Sequence, residues 1–178
     1  FSDIVLNNSS SLRSEWHKYK IMKKLSIKKL QASAVDASAV PALMNEAGIE
    51  WNSIACINWQ EFPYQPEVKF RAAHVGDALL LHYQVTEASV RAVATHDDGR
   101  VWEDACVEFF LSPESNDFYY NFECNCAAKL LLHGGPAGGE RPGASEDVLK
   151  SVKRWASLGT EPFEERVSEC TWEVALVI

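Results

Sequence analysis

Apolar residues in this chain recur at every second position, in short runs broken by Gly, Pro, Asn and Asp. That period belongs to strands with one buried face. In Ala78–Thr86, Leu79, Leu81, Tyr83 and Val85 alternate with Leu80, His82, Gln84 and Thr86. The first set predicts a core face and the second an outward one. Val68–Ala73 alternates in the same way, and the intervening His74-Val75-Gly76-Asp77 supplies turn chemistry, so the two runs predict a hairpin. Ser89–Thr95 is a further β-rich run ending in the turn His96-Asp97-Asp98-Gly99. Cys170–Ile178 places Trp172, Val174, Leu176 and Ile178 on one core-facing side. Helix signals are few. The stretch from Ser33 to Gly48 predicts a short helix with Asp36 or Ser38 as cap and Gly48 as stop, while Val148–Leu158 reads equally as strand or helix. Many short strands and at most one or two short helices predict an all-β, antiparallel β-sandwich of jelly-roll type.

A chain of 178 residues fits one domain. Its 47% apolar and 24% charged residues match a globular composition and argue against disorder. A formal net charge of -8 argues against nucleic acid or an anionic membrane as partner, since both select clustered Lys and Arg. No apolar run approaches the ~18 residues of a membrane span, and no export signal is visible at the start. Met22-Lys23-Lys24 reads as a natural start, which makes Phe1–Ile21 an extension and residues 22–178 a single domain. The apolar end Leu176-Val177-Ile178 has no turn after it, which predicts that further C-terminal strands are missing. The five cysteines, 56, 106, 124, 126 and 170, are odd in number and lack metal spacing, so they predict free, buried thiols. Free thiols point to a reducing compartment.

Cys106–Leu111 and Phe118–Cys126 are two strong strand runs around Ser-Pro-Glu-Ser-Asn-Asp, a loop by composition, and predict a hairpin. With Leu111 opposite Phe118, Glu108 falls near Asn121 and Cys106 near Glu123. One face then carries Glu108, Asn121, Glu123 and Asn125, with Tyr119 and Phe110 at its edge. The other carries Val107, Phe109, Leu111, Tyr120, Phe122, Cys124 and Cys126, a core set. Lys129–His133 extends the sheet, and Gly134–Gly143, with five glycines and two prolines, reads as a surface loop. The polar face fits a solvated sheet surface. It also fits a saccharide site, because planar carboxylates and carboxamides bind adjacent sugar hydroxyls and an exposed indole such as Trp102 covers the apolar face of a pyranose.

Val101-Trp102-Glu103-Asp104-Ala105-Cys106-Val107-Glu108-Phe109-Phe110, followed by Tyr119-Tyr120-Asn121-Phe122-Glu123-Cys124-Asn125, resembles the family 9 carbohydrate-binding modules, closest to the bacterial family 9-like branch. The likeness runs from Trp59 to Ile178. It implies a DOMON-like β-sandwich that binds a mono- or oligosaccharide without catalysis. Trp102 matches the first stacking tryptophan and Glu108 a sugar-binding carboxylate, with Asn121, Glu123 and Asn125 as hydrogen-bonding neighbours and Arg91 at the border. Glu123 stands where xylanase-linked members carry arginine, a change that suits a bound cation or pairing with Arg91 or Arg141. The family's second stacking tryptophan lies beyond Ile178. Carbohydrate binding favours an exported protein, opposite to what the thiols favour.

Other readings of the same residues stay open. Glu108 and Glu123 form a carboxyl pair of the kind glycosidases use, but no enclosing cleft is legible. An accessory or vestigial domain of a glycoside-hydrolase-type enzyme, or a protein-interaction sandwich, is the alternative. Asp97, Asp98 and Asp104, with Glu103, crowd carboxylates around one loop, which suits calcium as well as a solvated acidic turn. Haem would need a His or Met pair in a pocket, and His82 reads as outward-facing. His74, His96 and His133 read as surface turn residues. Glu87 and Arg91 read as a rim ion pair, and Trp59 as a candidate second ligand contact.

Overall fold

The computed structural model describes residues 3–6, 23–57, 60–113 and 117–178. Trp59 lies outside the described residues, as does most of Phe1–Ile21. In chain order the elements are β1 (Asp3–Leu6), β2 (Lys23–Ser26), β3 (Lys28–Lys29), α1 (Val40–Glu46), β4 (Asn52–Ile54), β5 (Glu67–His74), β6 (Leu79–Glu87), β7 (Val90–Ala92), β8 (Cys106–Leu111), β9 (Phe118–Asn125), β10 (Leu130–Pro136), α2 (Glu146–Ser151), β11 (Lys153–Ala156), β12 (Phe163–Arg166) and β13 (Cys170–Val177). The backbone of β1 pairs with β2, so part of the segment set aside as an extension forms a strand. Among the described residues no helix is long and apolar enough to cross a membrane.

Two sheets build the sandwich. The larger runs β11-β13-β6-β5-β3, with β4 also on β5, and the smaller runs β10-β9-β8. A two-stranded ribbon of β12 and β7 lies beside them. The predicted hairpin is β5–β6, closed by Val75–Ala78 with Gly76 at φ +106°. The core between the sheets takes Leu79, Leu81, Tyr83 and Val85 from β6 and Trp172, Val174 and Leu176 from β13, as their alternation predicts. Val107, Phe122, Cys124, Leu130 and Leu132 meet them from the smaller sheet. Both ambiguous segments resolve by local chemistry. Asp36 accepts from the Ser38 amide at 2.9 Å and starts a turn that leads into α1, with Gly48 at φ +63° beyond its end. In the second, Ser145 caps α2 and the chain then extends into β11, so this stretch is helix first and strand second.

The far side of the larger sheet is not solvated. Leu80, Ala73, Ala175 and Val177 form a second apolar layer there with Val40 and Met44 of α1. His82 therefore does not face outward to water: it is 1% exposed, with the Trp51 ring tilted against it, centroids 4.8 Å apart. Arg71, 3% exposed and opposite His82 in register, donates from Nε to His82 Nδ1 at 3.1 Å. That bond fixes the tautomer, so Nε2–H donates to Glu173 Oε2 at 2.8 Å. Burial pulls the His82 pKa below its ordinary 6.5; the Glu173 bond opposes this and the Arg71 charge adds to it. Protonating Nδ1 would also set a donor against a donor.

The sign of the linkage follows. The unfolded chain takes up a proton near pH 6.5 that the folded chain refuses until lower pH, so this contribution is full above about 6.5 and is lost as pH falls below it. Denaturant titrations across about pH 8 to 5 should show stability falling more steeply in the wild type than in His82→Gln. Parallel profiles for the two proteins would show that His82 does not carry this dependence.

Candidate functional site on the smaller sheet

The β8–β9 hairpin forms with a register two residues from the predicted one. Leu111 pairs with Tyr120 rather than Phe118. Strand β9 overhangs β8, and Phe118 and Tyr119 pair instead with Pro136 and Gly135 of β10. A slip of two preserves the facing of every side chain. It does change neighbours: Glu108 stands directly across from Glu123, and Phe110 from Asn121. On the third strand Leu131 faces Glu123 and His133 faces Asn121. The sheet's inner face is core at Val107, Phe122, Cys124 and Cys126 as predicted, but Tyr120, predicted among them, is exposed near the overhanging end of β9.

The polar face divides its hydrogen bonds unevenly. Asn121 Nδ2 donates to Glu123 Oε1 at 2.7 Å. Asn121 Oδ1 and Glu123 Oε2 are shielded from water and have no partner among the described residues. Such buried, unpaired acceptors cost about 1–3 kcal/mol each. Glu123 thus turns to Asn121, not to Arg91 or Arg141. Glu108 is exposed; its carbonyl accepts from the Tyr83 hydroxyl at 3.4 Å, while its carboxylate makes no hydrogen bond to a described residue. Partial desolvation and the facing Glu123 raise its pKa.

Trp102 sits in a single 3-10 turn, Val101–Glu103, that packs against β9 and β8. Its ring is 51% exposed, with the Arg100 guanidinium 6.0 Å from its centroid. Two residues on, the Asp104 carboxylate is fully buried. It accepts from the amides of Val93 at 2.8 Å and Ala94 at 3.0 Å, and from Asn125 Nδ2 at 2.9 Å. Arg91 Nε lies 3.7 Å from it, and the Arg91 guanidinium also donates to the Glu103 carbonyl. Asn125 is equally occupied, because its Oδ1 accepts from the amides of Ala127 at 3.1 Å and Lys129 at 2.8 Å. These bonds hold the β9–β10 turn, where Ala128 takes φ +58°. Asn125 therefore serves the loop rather than presenting a free group for a ligand.

Several other expectations are corrected by the same geometry. Asp97 Oδ1 accepts from the Leu130 amide at 3.0 Å and Arg154 at 2.6 Å, Asp98 pairs with His133 at 2.9 Å, and Asp104 is buried as described. The three carboxylates turn to separate partners instead of converging. Among the described residues no group of three His, Cys, Asp or Glu is placed to hold a metal ion. Arg91 pairs with Asp104, whereas Glu87 accepts from Trp172 Nε1, so the Glu87–Arg91 pair does not form. His133 lies in β10 rather than in a turn. The thiols are free, but Cys56 is exposed in the loop after β4. Burial pushes Cys124 and Cys126 up to about 12, which keeps them protonated.

At the other end of the face Phe110, 47% exposed, lies 5.9 Å from Tyr119. Arg141 reaches back over the Tyr119 ring and donates to its hydroxyl. This contact was invisible in the sequence, where Arg141 sits in a glycine-rich run without period. The run begins as strand, since β10 extends through Gly134 and Gly135. A Cβ at Gly135 would sit 2.3 Å from the Glu140 carbonyl, so the returning chain requires glycine there.

Residues 38–178 match the family model of carbohydrate-binding family 9. The chain belongs to carbohydrate-binding family 9. A crystal structure of a Bacteroides uniformis ATCC 8492 protein, to which carbohydrate binding has been ascribed, is similar at 59% identity and TM-score 0.84. The similarity covers 86% of this chain and 71% of that one. No curated protein matches. Two cavities lie on this family 9 fold, the second beside the turn that carries Trp102, lined also by Glu103 and Asp104. One of about 500 Å³ lies by Lys129, Lys153 and Arg154, and one of about 300 Å³ by Glu87, Arg91 and Glu165. Neither is lined by Glu108, Asn121 or Glu123.

Asp104→Ala should lower the unfolding free energy by about 3–5 kcal/mol with no ligand present, because it strands two backbone amides and Arg91. Chemical denaturation measures this. A loss within about 0.5 kcal/mol, the range of ordinary surface changes, would deny Asp104 its structural role.

Proposed function

We propose that the chain is a non-catalytic carbohydrate-binding module whose site is the open face of β8, β9 and β10. Trp102 stacks on a sugar ring, and Glu108, Asn121 and Glu123 accept hydrogen bonds from its hydroxyls. Arg91 borders the site and steadies the turn that carries Trp102. The observation that supports this reading is the pair of buried acceptors, Asn121 Oδ1 and Glu123 Oε2, left unpaired on the face that carries the residues resembling the family's motif. A native protein rarely leaves two such atoms together without a use. The half-exposed indole adds the apolar platform that a pyranose ring needs.

Hydrolysis fits this geometry poorly. Glycosidase carboxyls flank the scissile bond, whereas Glu108 and Glu123 project side by side from one face of adjacent strands. A raised Glu108 pKa is a property of general acids, but here it arises from partial burial and a like charge on an open surface.

Titration with a panel of mono- and disaccharides, read by tryptophan fluorescence and calorimetry, with and without calcium, tests the proposal. The wild type should show saturable binding, and Trp102→Ala should weaken it by about 2 kcal/mol or more, the range of a buried aromatic anchor. Absence of any response from the folded chain would leave the family membership as a statement about fold alone.

A further inference from the structure

We infer that the open face selects a sugar bearing a protonated amine, a 2-amino-2-deoxy hexose unit, over neutral and acidic sugars. The inference rests on the reading of that face as a sugar site and specifies its ligand class. It begins from what hydrogen-bonding capacity remains there. Asn121 gives one of its two amide hydrogens to Glu123. What is left over, Asn121 Oδ1 and Glu123 Oε2, can only accept, and the two side chains are 7% and 9% exposed, so water does not supply the missing donors. Across from Glu123 the Glu108 carboxylate is a further acceptor without a hydrogen bond to any described residue. The basic side chains bordering the face turn to other partners: His133 to Asp98, Arg141 to the Tyr119 hydroxyl, Arg100 to Glu103 and Arg91 to Asp104.

The face therefore holds unpaired acceptors and two facing carboxylates together. Two carboxylates directly opposite on adjacent strands repel. A hydroxyl donates one hydrogen and leaves the charge in place. An ammonium donates three and neutralises it, through charge-assisted bonds about twice as strong as neutral ones. A uronic acid or a sulfated sugar would add a third negative group. In the free protein a proton taken up by Glu108 relieves the same repulsion, so ammonium and proton compete for one place. Both buried acceptors are closed to water in the unliganded chain, and the exposed Glu108 side chain is the neighbour able to turn aside as a ligand enters.

Calorimetric titration of the full chain with a glucosamine dimer or trimer, its N-acetylated form, the matching glucose oligomer and glucuronic acid tests this. At neutral pH the free amine should bind about tenfold tighter than either neutral form, the margin of a charged over a neutral hydrogen bond, and the acid weakest. The margin should close at about pH 9, where an amine of α-amino type, pKa about 7.7–8.0, is uncharged. Glu123→Gln should narrow the amine-to-neutral ratio. Equal wild-type affinities for amine and neutral forms, or a preference that persists at about pH 9, would overturn the selection while leaving the sugar site standing. Failure of every sugar to bind the folded chain would overturn both.

Discussion

The buried carboxylate of Asp104 is the joint on which the site side of the molecule depends. It draws together the chain after β7, through the Val93 and Ala94 amides, and the end of β9, through Asn125. It does so from a position two residues after Trp102 and four before Glu108. The indole and the first strand carboxylate are thereby fixed with respect to each other. A carboxylate suits this role because it offers several acceptor sites in one plane, and here two backbone amides and a side-chain amide fill them. Asn125 relays the constraint onward, since its own oxygen closes the β9–β10 turn.

Set beside that saturated network, the Asn121–Glu123 pair two residues away is conspicuous for what it lacks. The two clusters share a strand, a face and a residue chemistry. One has its acceptors filled by protein donors, and the other keeps two buried acceptors empty. Ordinary sheet construction would not produce the second, because an apolar pair at those positions would avoid the desolvation cost altogether. The contrast separates polar residues saturated by the fold from polar residues that the fold leaves unpaired, a distinction that residue type alone does not make.

This is also where legibility from sequence ended. Strand existence, the β5–β6 hairpin and the core faces of β6, β9 and β13 follow from period-two alternation, which depends on side-chain polarity. The hairpin register does not, because a shift of two leaves every face unchanged, and the length of the Ser112–Asp117 loop did not fix which residues pair. Glu108 was accordingly placed beside Asn121 and not beside Glu123. Asn125 looked like a ligand group because its backbone partners, Ala127 and Lys129, carry no signal of their bond. His82 looked solvent-facing since alternation assigns a second face but cannot say what covers it. Its neighbours Leu80 and Val177 were the available clue, being apolar where a wet face would be polar.

The covering of that second face bears on where a ligand can sit. Both sheets have an outer side. On the larger sheet Ala73, Leu80, Ala175 and Val177 demand a lid, and α1 supplies it, with the Arg71–His82–Glu173 chain satisfying the polar groups beneath. The outer side of the smaller sheet carries Glu108, Asn121 and Glu123, whose charge would make an apolar lid costly. The short 3-10 turn Val101–Glu103 packs against β8 and β9 there, and aromatic rings stand at the two ends, Trp102 at one and Phe110 with Tyr119 at the other. From Cys106 to Phe110 β8 rises about 13 Å, longer than a single hexose ring. The sequence thus decides by side-chain type which of two sheet faces takes an apolar lid and which keeps a polar layer flanked by edge aromatics.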